Sequence, residues 1–302
     1  MQDFVQDYKN NANTREPSFI NSPLKWAGGK KRLLNHLIYD YIYPYSQINP
    51  NATFYEPFLG SGTVAFNSGF KKMVLGDKNP RLMIFYKEIR DRPEKVLTKI
   101  LKYQKIYTKT TNKEQYYYQL RNEFNNIHIT KNSGVKLSAL FWILNKTGFN
   151  GMYRETKEGK FNIPFGKRPC PSPKIETFMQ ISNILKNSEV KRGDFENICQ
   201  KIKKGDIIYL DPPYIPISKT ASFNTYLKNG FNINDQKRLK RFMKKMNENG
   251  VKIIMSNSDC KLTRDIYGKM KNFHTNTIKV QRLISGKSKG RTKIQEIIMT
   301  NL

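Results

Sequence analysis

The chain has 302 residues, with 54 Lys and Arg against 24 Asp and Glu for a net charge of +30, and 38% of its residues are hydrophobic. That length and apolar content support a packed core and exclude global disorder; the positive field argues against small cationic substrates and for a polyanion, either nucleic acid or an anionic membrane surface. The densest apolar run, residues 137–144, is far short of the roughly 20 residues a membrane span needs, and Cys170, Cys199 and Cys260 are too few and too scattered for a disulfide framework or a zinc cluster, so the chain is expected in a reducing, cytoplasmic compartment with no membrane association and no metal.

In chain order, residues 1–17 are rich in Asn, Gln and Asp and read as a tail ending at Pro17. Apolar spacing from Leu33 to Tyr43 predicts a helix. Residues 52–58 predict a buried strand entering a Gly-rich turn, and residues 71–77 a second short strand ending on an acid. Residues 86–185 break the strand series: they are rich in Lys, Tyr and Asn, have helical spacing, and pass through a Gly/Pro-punctuated loop at 148–173. They read as an inserted, mainly helical subdomain. Residues 206–214 and 251–259 are two more apolar runs that end in polar residues. Between them, residues 236–246 place Leu239, Phe242, Met243 and Met246 at helical spacing, which predicts a sheet-covering helix with a solvated basic face. Residues 279–293 read as a strand, a Gly/Ser/Lys loop and a return strand, with Lys287, Lys289 and Arg291 placed to grip phosphates. The alternation is that of an open α/β sheet with buried parallel strands, in which ligands sit beyond the strands' carboxyl ends. Glu56, Gly60, Asp77, Asp211 and Asn257 stand at those ends.

The sharpest chemical signal is Asp211-Pro212-Pro213-Tyr214, directly after an apolar strand. Two prolines cannot continue a ladder, and each fixes its φ, so the aspartate is held at a strand end on a stiff backbone. An acceptor carboxylate, the Pro212 carbonyl and an aromatic face suit a flat base with an exocyclic amine. Gly60 and Gly62 after the first strand allow a tight turn against a ligand, although the third glycine of a dinucleotide fingerprint is missing. Asp77 is placed to accept from ribose hydroxyls, or equally to form an Asx turn ahead of Asn79-Pro80. His36, His128 and His274 are scattered and read as structural or surface residues.

In combination, these segments resemble the Dam-type DNA adenine methyltransferases, the alpha-order amino methyltransferases. The resemblance runs from about residue 23 to 300, with the motifs in the family's order. PLKWAGGKKRLL is similar to the N-terminal cofactor motif, YEPFLGSGTVAFN to the main S-adenosylmethionine loop, VLGDKNPRL to the ribose-binding acid, LNKTGFNGMYRETKEGKFNIPFG to the target-recognition hairpin, and DIIYLDPPY to the catalytic motif. The resemblance implies an α/β fold with a Rossmann-like S-adenosylmethionine-dependent methyltransferase sheet. Residues 18–85 and 186–302 would form the catalytic, cofactor-binding domain, and 86–185 an inserted, mainly helical target-recognition subdomain.

Carried onto this chain, the resemblance implies that Trp26, Gly28, Gly29 and Lys30 enclose the cofactor. Glu56, Phe58, Gly60 and Gly62 form the loop beside its methionine part. Asp77 takes its ribose, and Asp194 and Phe195 flank its adenine. Asp211, Pro212, Pro213 and Tyr214 hold the target adenine, with Asp211 also bordering the cofactor. Lys25 and Arg154 reach base edges, Phe149 fills the gap a flipped base leaves, and Asn150, Met152 and Pro164 line the readout surface. Residues 215–231 could close over the bound base.

The expected partner is double-stranded DNA, read at GATC or, next, at a GATATC-like site by base flipping. The expected protein is a monomer with no metal, linked at most functionally to a cognate restriction endonuclease. Two other readings stay open at this point: an RNA adenine methyltransferase, and a DNA-binding module of the same fold without activity.

Overall fold

The computed structural model describes residues 19–130, 132–215, 231–281 and 293–302. The expected tail, almost all of the 215–231 segment, and Lys287, Lys289 and Arg291 lie outside the described residues. Seven strands, β1 (Phe54–Glu56), β2 (Met73–Asp77), β3 (Ser188–Arg192), β4 (Ile207–Leu210), β5 (Lys252–Ser258), β6 (His274–Gln281) and β7 (Lys293–Thr300), form one sheet of order β3-β2-β1-β4-β5-β7-β6. β1 to β5 are mutually parallel, whereas β7 runs antiparallel between β5 and β6. The order reverses at β1, which pairs with β2 on one side and β4 on the other, so a crevice opens beyond the carboxyl ends of these strands.

The four strands expected from apolar runs are present but shorter. β1 stops at Glu56 because Pro57 cannot donate to a ladder, and β4 stops at Leu210 before Asp211-Pro212-Pro213 for the same reason. β3 was not foreseen. It is a polar edge strand in which only Ser188 and Val190 are buried, so it lacks an apolar run.

Helices cover both faces: α1 (Tyr43–Ile48), α2 (Pro80–Asp91), α3 (Pro93–Lys109), α4 (Lys113–Asn125), α5 (Gly134–Thr147), α6 (Ile175–Leu185), α7 (Phe195–Ile198), α8 (Ile233–Glu248) and α9 (Lys261–Tyr267). The expected helix near Leu33–Tyr43 is continuous with α1 through a wide π-helical stretch at His36–Ile42, which buries Leu37, Ile38 and Ile42. Successive strand residues alternate between two cores. Phe54, Leu75, Ile207, Tyr209 and Ile254 pack on one side with α2, α3, α5 and α6. Tyr55, Val74, Ile208, Leu210 and Ile253 pack on the other with Phe195 and with Leu239, Phe242, Met243 and Met246 of α8. This double burial is why the strands read as continuous apolar runs rather than alternating ones. The residues between 86 and 185 are mainly helical, as expected. Among the described residues no helix is long and apolar enough to cross a membrane.

Candidate active site

A cleft of about 700 Å³ lies at the carboxyl ends of β1, β2 and β4. Its walls include Trp26, Gly28, Gly29 and Lys30, Glu56, Phe58 and Gly60, Asp77, Phe195, and the whole run from Asp211 to Tyr214. Thirteen separately expected residues are therefore gathered in one place.

Asp211 emerges from β4 with both carboxylate oxygens engaged. Lys30 Nζ lies 2.7 Å from Oδ2, and the Ser256 hydroxyl donates to Oδ1 at 2.9 Å. The same Lys30 ammonium donates to the Gly28 carbonyl at 2.6 Å and sits 4.6 Å from the centre of the Tyr214 ring. Burial raises the Asp211 carboxyl above its ordinary value, against the opposing pull of Lys30 and Ser256. Tyr214 donates its hydroxyl to Glu296 on β7 at 2.7 Å, which anchors the far end of the ring. The chain leaving the motif is pinned twice more: Gln236 of α8 donates to the Pro213 carbonyl at 3.0 Å, and Asn257 Oδ1 accepts from the Ile215 N–H at 3.3 Å.

At the end of β1, Glu56 is only 3% exposed, and its Oε2 is buried without a hydrogen-bond partner. Burial, and then the neighbouring Asp211 charge, push its carboxyl well above the carboxylate range. Asp77 accepts from the Gly60 N–H at 3.1 Å and from the Asn79 N–H at 2.9 Å, so both an Asx turn and a place on the cleft wall are realised in one residue. Phe58, Phe195 and Phe231 form an aromatic wall, with ring centres 5.6 Å apart for Phe58–Phe195 and 5.6 Å for Phe58–Phe231. An orphaned buried carboxylate oxygen, an acid at a strand end and an apolar slot fit a ligand that combines an ammonium, a sugar and a flat base. The donor set of S-adenosylmethionine is of that kind.

Two expected cofactor residues stand back from the cleft. Gly62 has φ +68°, and its N–H donates to the Leu59 carbonyl at 2.8 Å; a Cβ there would run into the Phe66 ring. Its work is the turn itself. Asp194 caps α7 and is held by Arg238 at 2.7 Å and Lys78 at 3.1 Å. Burial works to raise its carboxyl, but these cations and the Glu196 N–H outweigh it and hold the group below its ordinary value.

The loop at 148–173 forms a hairpin: Phe149 N–H bonds to the Pro164 carbonyl at 2.9 Å and Asn162 N–H to the Arg154 carbonyl at 3.1 Å. Phe149 is 47% exposed at its base. Asn150, at φ +54°, accepts from Arg168 at 3.2 Å. Arg154 is exposed, with its Nε bonded to Asn162 at 2.8 Å. Met152 packs partly into the core, while Pro164 is exposed. Lys25 is tied to this unit through Asn145, whose side chain accepts from Lys25 N–H at 2.8 Å and donates to the carbonyls of Lys25 and Gly151 at 2.7 and 3.1 Å. Trp26 stacks on Tyr153 with ring centres 5.5 Å apart, so the hairpin and the cleft share a wall.

Sequence reasoning missed Ser256, Glu296 and Gln236, and placed Phe231 only as the last residue of the 215–231 segment. Ser256 adjoins Asn257, which the strand-end rule had flagged; Glu296 and Gln236 carry no motif.

The fold and cleft thus define an open-sheet α/β enzyme whose acids and aromatic groups converge at the sheet's switch point. Residues 26–284 match the model of the D12 class N6 adenine-specific DNA methyltransferases, and the chain belongs to that family. It is 36% identical to the type II methyltransferase M1.LlaDCHI of Lactococcus lactis subsp. cremoris, over 92% of this chain and 94% of that one. It is 34% identical to the type II methyltransferase M.MjaIII of Methanocaldococcus jannaschii, over 92% and 98%. It is 32% identical to the DNA adenine methylase of Vibrio cholerae, over 91% and 94%.

Proposed function

We propose that this chain transfers a methyl group from S-adenosylmethionine to the N6 amine of an adenine flipped out of duplex DNA, within a short site assigned as GATC. The observation that carries the reading is the convergence of Asp211, Tyr214, Glu56 and Asp77 in one cleft, with the recognition hairpin joined to its wall. The sheet is then a Rossmann-like methyltransferase sheet. Residues 18–85 and 186–302 hold cofactor and chemistry, and 86–185 read the target.

When bound, S-adenosylmethionine supplies a methyl group already made electrophilic by its sulfonium. The unpartnered Glu56 oxygen meets the ammonium, Asp77 takes the ribose hydroxyls, and Phe58, Phe195 and Phe231 enclose the purine. Trp26 and the Gly28–Gly29 backbone close the remaining side. The adenine amine is a weak nucleophile because its lone pair is delocalised into the ring. Asp211 and the Pro212 carbonyl accept its two hydrogens, which favours a tetrahedral nitrogen with its lone pair aimed at the methyl group. Asp211, which would hold the amine, would also take up the surplus amine proton released on methyl transfer. Tyr214 stacks on the extruded base, whose unpairing costs a few kcal/mol, and Phe149 fills the vacated space. Arg154 and Lys25 read base edges, with Asn150, Met152 and Pro164 shaping the surface. The enzyme works as a monomer on double-stranded DNA in the cytoplasm. Any link to a restriction endonuclease is functional rather than physical.

Radiolabelled S-adenosylmethionine, unmethylated duplex DNA and sequencing of the modified adenines test the reading. Methyladenine at one short motif, lost in Asp211→Ala, is the expected result. Label confined to RNA overturns the substrate, and absence of cofactor binding overturns the chemistry.

A further inference from the structure

We infer that Ser256 is a positioning residue for methyl transfer, and that it acts on the adenine amine through Asp211. The inference rests on the function proposed above. Ser256 lies in the middle of β5 with no exposed surface, and it belongs to none of the expected motifs. Its hydroxyl donates to Asp211 Oδ1 at 2.9 Å and lies 2.8 Å from the hydroxyl of Tyr209, another fully buried side chain.

A serine has one proton to give. With Asp211 ionised, that proton belongs on the carboxylate, and Tyr209 must then donate to the serine oxygen. Burial pushes the Tyr209 phenol well above its ordinary value, so it keeps the proton this chain requires. The result is a one-directional relay, Tyr209 to Ser256 to Asp211, built across β4 and β5.

The relay has two consequences. It fixes the Asp211 rotamer: Oδ1 is held from within the sheet and Oδ2 by Lys30 from the cleft, so the remaining lone pairs face one direction. It also favours the ionised carboxylate, the form able to accept an amine hydrogen while the Pro212 carbonyl takes the other. The charged and titratable groups around Asp211 are Lys30 from the segment before the first helix, Glu56 from β1, Tyr209 from β4, Tyr214 after β4, and, beyond them, Asp77 on β2 and Glu296 on β7. Glu56 opposes ionisation and Lys30 supports it, as the serine does.

The test is steady-state methylation of a duplex carrying the target site, across pH, for wild type, Ser256→Ala, Ser256→Thr and Tyr209→Phe, with S-adenosylmethionine and DNA binding measured alongside. Loss of a hydrogen bond to a charged group lowers kcat in Ser256→Ala by roughly ten- to a hundredfold, with KM for DNA and cofactor affinity unchanged. The acid limb of its pH–kcat profile moves to higher pH, because a donor to the ionised form is gone. Ser256→Thr restores both, and Tyr209→Phe shifts the limb in the same direction by less. An unmoved acid limb, or an effect confined to KM, overturns the inference. If Ser256→Ala does not bind cofactor and so reports misfolding, Tyr209→Phe decides by the same limb. A wild type that binds both ligands yet makes no methyladenine instead sinks the function on which the inference stands.

Discussion

At the scale of single residues, Glu56 is a costly feature of the cleft. A carboxylate with a buried, unpartnered oxygen facing a second acid is tolerated in a fold only where something else uses it. Its folded carboxyl titrates above its unfolded value, so between about pH 4 and the raised value the native state holds more protons than the unfolded chain. Stability falls through that window and stays reduced above it. Glu56→Gln removes the penalty. Its melting temperature should exceed that of wild type at pH 8, with the gap closing below pH ~4, where both side chains are neutral. Calorimetric titration should show the same variant losing affinity for S-adenosylmethionine. Equal melting curves at both pH values would refute the charge as the source of strain. Asp211, Glu56 and Asp77 were legible in the sequence because each ends a local apolar run. Ser256, Glu296 and Gln236 were not, because their contacts are made by strand pairing and helix packing between distant segments.

At the scale of elements, the turn after β1 separates two glycines that the sequence presents as equivalent. Gly60 has φ +47°, and a Cβ on it would come 2.9 Å from Trp26 Cδ1, on the cleft wall. Gly62 points instead into the Phe66 ring within the core. Both conformations are strained for a residue with a side chain, but the neighbours that must yield differ. Gly62→Ala should behave as an overpacking mutation, destabilising the fold by roughly 1–3 kcal/mol in denaturant unfolding. Gly60→Ala should displace Trp26 and weaken cofactor binding by more than its stability loss explains. A matched loss of stability in the two, with cofactor affinity unaffected in Gly60→Ala, would show that the turn is only structural. Apart from the short α7 and α9, the helices were legible from period, four of the strands from apolar runs, and the antiparallel pair β6 and β7 from the strand, loop and return strand read at 279–293. β3, with two buried positions, was not, nor was the order β3-β2-β1-β4-β5-β7-β6, which depends on non-local pairing. The expected domain boundary at 85/86 falls inside α2, a single unbroken helix, since composition shifts along a chain need not coincide with helix ends.

At the scale of the whole molecule, the charge of +30 sets how the protein meets its polyanion. Its most telling expression lies by the hairpin, where cations converge from three segments: Lys25 before the first helix, Lys146 near the end of α5, and Arg168 in the outgoing part of the 148–173 loop. Among the described residues no carboxylate forms an ion pair with any of them. Burial, and then the charge of Lys25, lower the Lys146 ammonium to about 8, while burial and Arg168 lower that of Lys25. A DNA phosphate brought to this cluster favours the charged form and returns the proton. Binding that engages this cluster should therefore take up a proton, and the sign follows: affinity for duplex DNA should be full below pH ~8 and decline as pH rises through that value. Lys146→Arg keeps the charge and should flatten the decline. Lys146→Gln should also flatten it, with weaker binding at every pH and a salt dependence reduced by about one unit in the slope of log K against log salt. Equilibrium binding to a target duplex across pH and salt distinguishes these outcomes, and a decline as steep in Lys146→Arg as in wild type would assign the lost proton to another group.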